Sequence, residues 1–151
     1  MARTTLNYTV NDEGRDFGKV FVLTEMSASQ AEYWAMRALL ALMANGVNVP
    51  EGFERMGMAA MAEVGLKALT GLKWETAEPL LQEMWECVQI MPDPTRAHIL
   101  RGLVESDIEE VVTRLKIRAE VWKLHTGFLK AAGPSISGGA QAASKQRMRN
   151  T

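Results

Sequence analysis

Cysteine occurs once in this chain of 151 residues, at Cys87, and histidine twice, at His98 and His125. A single cysteine excludes an intramolecular disulfide and fits a reducing compartment. No lysine or arginine lies within four residues of it, so nothing local lowers its pKa, and a small buried filler is expected rather than a nucleophile. The histidines are far apart and have no acid or cysteine at ligand spacing, so His125 reads as a helix-surface or hydrogen-bonded core residue. No apolar run approaches the roughly 20 residues of a membrane span. Met1-Ala2-Arg3-Thr4-Thr5 lacks the apolar core of a signal peptide, which makes the cytosol the expected location. Glycine-rich phosphate loops, nucleophile elbows and zinc patterns are also lacking. The acids Glu105, Asp107, Glu109 and Glu110 read as helix-start carboxylates rather than a cation site. The expectation is a protein that is not an enzyme, with no catalytic residue, cofactor or metal.

Charge is scarce in net terms, at −1, but unevenly placed. From Pro134 onward stand Lys145, Arg147 and Arg149 and no acid, leaving 14 cations against 18 acids in the body. A body of that sign is not a nucleic-acid footprint. The tail is small and polar with almost nothing to bury, so residues 134–151 are expected to be disordered after one α-rich domain, 1–133.

What is abundant is helical apolar periodicity. In Met26–Gly46, Ser27 and Gln30 make a capping box and Asn45-Gly46 a stop. Between them Ala31, Trp34, Ala35, Ala38, Leu39 and Leu42 form one stripe and Tyr33, Met36, Leu40 and Met43 a second. This helix is expected to be central and covered from several sides. Upstream, Leu6, Tyr8 and Val10 alternate with polar residues, and Val20–Thr24 is a continuous apolar and β-branched run. That pattern predicts a hairpin, which must lie on the helices or pair with another strand, because a lone hairpin is marginal.

A second helix is expected over Phe53–Thr70, weakened by Gly57 and Gly65. A third runs from near Thr76, with Pro79 in its first turn, to Met91-Pro92, and Thr95–Val104 reads as an extended connection in preference to a short helical face of Ile99, Leu100, Leu103 and Val104. The last helix starts at a capping box of Ser106 and Glu109 and stops at Gly133-Pro134. Its main stripe is Ile108, Val111, Val112, Leu115, Ala119, Trp122 and Leu129, with Ile117, Val121, Leu124 and Phe128 beside it. The fold expected is mainly α, a compact domain of about four helices with a small N-terminal β-hairpin.

One feature points beyond a plain core, and a second has an alternative reading as a contact face. The chain holds ten methionines, of which Met56, Met58 and Met61 cluster on the weak second helix. Flexible, polarisable side chains suit loose apolar binding, although methionine also simply fills core gaps. On the last helix, Arg114, Lys116 and Arg118 are either a solvated face or a contact stripe for an acidic partner.

The runs GKVFVLTEMSASQAEYWAMRALLAL, AEPLLQEMWECVQIMPDP and ESDIEEVVTRLKIRAEVWKLHTGF resemble the small tail assembly chaperones of long-tailed bacteriophages, over most of residues 18–128. The resemblance is one of sequence texture and carries no motif residues. It implies a non-enzymatic, mainly helical protein of the host cytoplasm, absent from the finished virion. Its partners would be the tape measure protein, kept soluble, and the tail tube protein, with homo-oligomerisation open and no nucleic acid or membrane. A structural virion component, such as a tail-completion or connector protein, is the alternative, and a small enzyme whose site the sequence does not display is the third and weakest class.

Overall fold

A computed structural model of the chain describes residues 3–127. Strands β1 (Thr5–Thr9) and β2 (Val20–Thr24) form the expected hairpin, with Tyr8 opposite Phe21 and Leu6 opposite Leu23. Three consecutive residues of β2, Phe21, Val22 and Leu23, are buried, as a continuous apolar run requires. The hairpin does not end there. After the helices, β3 (Val88–Met91) pairs antiparallel with the free edge of β2, and β4 (Arg101–Gly102) pairs with β3. The sheet order is β1-β2-β3-β4.

This corrects the mainly α expectation. The fold is α+β, with 54% helix among the described residues and a four-stranded antiparallel sheet formed by them. The segment taken as the end of the third helix is the third strand. An unpaired edge on an otherwise buried strand leaves backbone N–H and C=O groups without partners, and Val88–Met91 satisfies them. One face of the sheet, carrying Phe21 with Ile90 and Leu23 with Val88, turns to the helices. On the other, Val22 lies between Asn7 and Gln89.

Helix α1 (Ala28–Ala44) starts and stops where its caps say. Ser27 Oγ accepts from Gln30 N at 3.3 Å, and Gly46 has φ +84°. The reciprocal half of the capping box is not made, because the Gln30 side chain donates to Glu83 and Glu86 instead. Trp34, Ala35, Ala38, Leu39 and Leu42 are buried, and Trp34 Nε1 donates to Leu80 O at 2.9 Å. The second stripe is not covered. Tyr33, Leu40 and Met43 are exposed, so one face of α1 stays open while the rest meets several elements.

The expected second helix is broken at its glycines into α2 (Phe53–Met56), α3 (Met58–Val64) and a 3₁₀ segment, Leu66–Gly71. Gly57 sits at φ 54°, ψ −126°, a conformation closed to side chains other than hydrogen. Helix α4 (Trp74–Met84) begins earlier than expected, which moves Pro79 out of the first turn into the helix interior. It gives way to a 3₁₀ turn, Trp85–Cys87, before β3.

The last helix, α5, is described over residues 111–127. Its expected stop at Gly133-Pro134 and the tail lie outside the described residues. Its N-terminus is not capped by Ser106. Asp16, in the loop between β1 and β2, accepts from Glu109 N at 2.9 Å and Glu110 N at 2.8 Å across 93 and 94 residues of chain. The same loop holds α5 through Lys116 Nζ to Asp12 at 2.7 Å and Arg15 Nε to Glu110 Oε1 at 3.0 Å. The two stripes of α5 also exchange places. Ile117 and Val121 are core, whereas Val111, Val112 and Leu115 are exposed by half or more.

Candidate functional site: an apolar groove beside paired arginines

The exposed stripe of α5 does not simply face solvent. Leu115 and Ala119 form one wall of a groove whose other wall is Trp74, Ala77 and Leu81 of α4. Leu66, Leu69 and Leu72 of the 3₁₀ segment and its exit close one end. The helical spacing of residues 115, 118 and 119 brings all three side chains to the same side of α5. The cavity measures about 530 Å³. An apolar cavity of ~150 Å³ accommodates benzene, so this one has room for about three large side chains of an incoming segment. Trp74 and Leu115 stand at its rim, 63% and 54% exposed. Large apolar side chains left in water beside an open apolar cavity make this a candidate contact surface.

Cations flank the groove, and one arginine is part of its wall. Arg118 lines it. The Arg114 guanidinium carbon lies 4.3 Å from the Trp85 ring centroid and that of Arg118 5.8 Å, within cation–π range. Neither arginine is within 4 Å of a carboxylate among the described residues. Burial first, and then Arg114 beside it, push the Arg118 pKa below the usual arginine range. Arg118 Nε and Trp85 Nε1 are both buried without a hydrogen-bond acceptor, an arrangement that leaves two donors unsatisfied.

Compared with protein-family models, with curated proteins and with solved structures, the chain matches none.

The residues singled out in the sequence do not come together. Arg114 and Arg118 are one turn apart on one face, but Lys116, at about 200° from Arg114 around the helix, points to the β1–β2 loop and pairs with Asp12. The proposed cationic stripe is therefore two residues, not three. Met61 is a core side chain with no exposed surface, so it offers a partner nothing to touch. Met56 and Met58 are half-buried and line a separate cleft of about 270 Å³ with Met26, Ala31 and His125. No lining residue is common to that cleft and the groove.

Trp74, Trp85 and Leu115 are site residues that the sequence reading did not single out. A signal existed for Leu115: it belongs to the more apolar of the two α5 stripes, and a helix with two stripes need bury only one. Trp74 and Trp85 carry no such mark, since an aromatic at a helix end is as often core as surface.

The other chemistry-bearing side chains serve the fold. His125 is buried, accepts from Met26 N at its Nε2 at 2.8 Å and faces Val121 O with its Nδ1 at 2.8 Å. Both ring nitrogens are thereby used by the backbone, in the neutral tautomer with the proton on Nδ1. Burial, aided by Glu86 and Glu83, pushes the Cys87 thiol up to about 11, which keeps it protonated at neutral pH. Asp107 is held by Arg101, with two contacts of 2.8 Å. Among the described residues no group of three or more His, Cys, Asp or Glu side chains could hold a metal ion. Among them, too, no helix is long and apolar enough to cross a membrane.

Proposed function

We propose that this protein is a non-enzymatic tail assembly chaperone of a long-tailed bacteriophage. It acts in the host cytoplasm, holds apolar segments of the tape measure protein in solution, and aids the addition of tail tube protein before leaving the assembly. The single observation that supports a holding role is the open apolar groove between α4 and α5, rimmed by exposed Trp74 and Leu115. Shallow apolar contact of this kind suits a client that must be released, because affinity then rests on a few side chains. The assignment to phage tails rests on the sequence resemblance of residues 18–128.

Co-expression with the tape measure protein tests the reading. Wild type should raise the soluble fraction of the client well above that with an empty vector. Leu115→Glu, which places a charge at an exposed position of the groove and so spares the fold, should return it toward the empty-vector level. A client that stays insoluble with wild type rules the chaperone out. A mass-spectrometric inventory of purified virions separates the alternative, since a tail-completion or connector protein would be retained in them.

A further inference from the structure

The groove is apolar, yet its wall contains a guanidinium, half-withdrawn from water, that meets no carboxylate among the described residues. Arg118 lines the cavity, lies like Arg114 over the Trp85 ring, and has its Nε buried with no acceptor. Lys67 is a second cation in the lining, and no acid is among the lining residues. An arginine half-withdrawn from water among apolar groups is costly unless an anion meets it, and a carboxylate can do so with two parallel hydrogen bonds. The chain beyond the described residues does not supply one from a side chain: residues 128–151 contain Lys130, Lys145, Arg147 and Arg149 and no Asp or Glu. Like charge therefore disfavours that segment as the occupant, and the complement is an acidic group brought by a partner.

We propose that the α4–α5 groove recognises an amphipathic helical segment of a partner protein that carries a carboxylate one turn from its apolar residues, the carboxylate pairing with Arg118 while the apolar side chains fill the cavity beside Trp74 and Leu115. The inference rests on the holding role proposed above and specifies what is held. Apolar contact alone would accept any hydrophobic helix. The arginine restricts the choice, because a segment lacking the carboxylate covers the half-buried Arg118 without matching its charge, and one carrying lysine there brings two cations together. Arg114 reinforces the field at Arg118 and orients it through the shared Trp85 ring.

The test uses the full chain and a designed amphipathic peptide of about 18 residues, with leucines at helical spacing on one face and one glutamate a turn along it. Versions with glutamine or lysine in place of the glutamate need no change in the protein, so misfolding cannot confuse the result. In ¹H–¹⁵N spectra the indole signals of Trp74 and Trp85 should move on titration, while that of Trp34, bonded inside the core to Leu80, should not. The glutamate peptide should bind at least about tenfold more tightly than the glutamine one, the lysine peptide most weakly. Arg118→Met keeps an unbranched apolar side chain and should bring the glutamate and glutamine peptides to within about twofold of each other. Lys123→Met, the same charge change at an exposed position on α5 outside the groove, should leave the tenfold preference intact.

Equal binding of all three peptides to wild type would overturn the carboxylate proposal while leaving the chaperone reading to the co-expression assay. Loss of the preference in Lys123→Met would show a net-charge effect and overturn it too. A self-associating chain whose dimer Arg118→Met dissociates would make a second copy the occupant, and would equally refute it.

Discussion

The contact between Asp16 and the start of α5 is the most demanding test of the fold, because it ties the β1–β2 loop to the helix that walls the groove. The Asp16 side chain is 1% exposed and accepts from Glu109 N, Glu110 N and Lys19 Nζ at 2.8 to 2.9 Å. Replacing it with alanine removes a helix cap, worth about 0.5–2 kcal/mol. The amides left without it, Glu109 N and Glu110 N, are the capped groups themselves and sit at a part-buried site, so water recovers part of the loss. Lys19 retains Asp107 O as an acceptor at 2.8 Å, so its loss is partial. A total of about 1–3 kcal/mol follows for Asp16→Ala. Asp16→Asn keeps one oxygen for the amides but loses the charge and turns an N–H toward the remaining donors, so about half of that loss is expected.

The pH dependence adds a sign. Burial by itself would raise the Asp16 pKa, but the Glu109 amide, Lys19, the Glu110 amide and Thr113 together hold it well below the usual carboxylate range. A group depressed in the folded state takes up a proton on unfolding in acid. Its contribution is therefore present above the unfolded pKa of about 4 and is lost as pH falls below that toward the folded value. Asp107, depressed chiefly by its bond with Arg101, works in the same direction. Urea titrations followed by tryptophan fluorescence, from neutral pH down to about pH 3, measure both effects. The gap between wild type and Asp16→Asn should narrow steadily below about pH 4. A loss under about 1 kcal/mol for Asp16→Ala at neutral pH, or a gap that does not narrow, would refute the reasoning.

Three shorter predictions accompany it. Trp34→Ala empties a fully buried site and removes the donor to Leu80 O, so a loss of about 3–5 kcal/mol in chemical denaturation is expected, and one near 1 kcal/mol would mean the core is not built on α1. Gly57→Ala meets no atom within 4 Å of the added Cβ, so its cost is backbone strain alone, about 1–3 kcal/mol, and a thermal melt showing no change would mean that the α2–α3 break is not as described. Amide exchange should protect Val22 and Ile90 alike, as members of paired central strands; rapid exchange across Val88–Met91 would contradict the sheet.

What the sequence by itself determined was whatever is encoded within a turn or two of chain. The caps Ser27 and Asn45-Gly46 bound α1 because capping bonds reach only three or four residues. The run Val20–Thr24 declared a strand buried on both faces, and the glycines of residues 53–71 announced weakness there. Where the local signal was ambiguous, the tertiary structure decided. Val88, Ile90 and Met91 follow Leu81, Met84 and Trp85 at spacings that suit a helix as well as a strand, and only the open edge of β2 turns them into β3. The cap of α5 comes from Asp16, more than 90 residues away, beyond the range of any local pattern. Two apolar stripes on α5 were legible, but which one meets the core depends on the side of the helix that the sheet occupies. The split of Lys116 from Arg114 and Arg118 was written in the helical repeat. Their meeting over Trp85, and the groove beside them, exist only because α4 and α5 pack together.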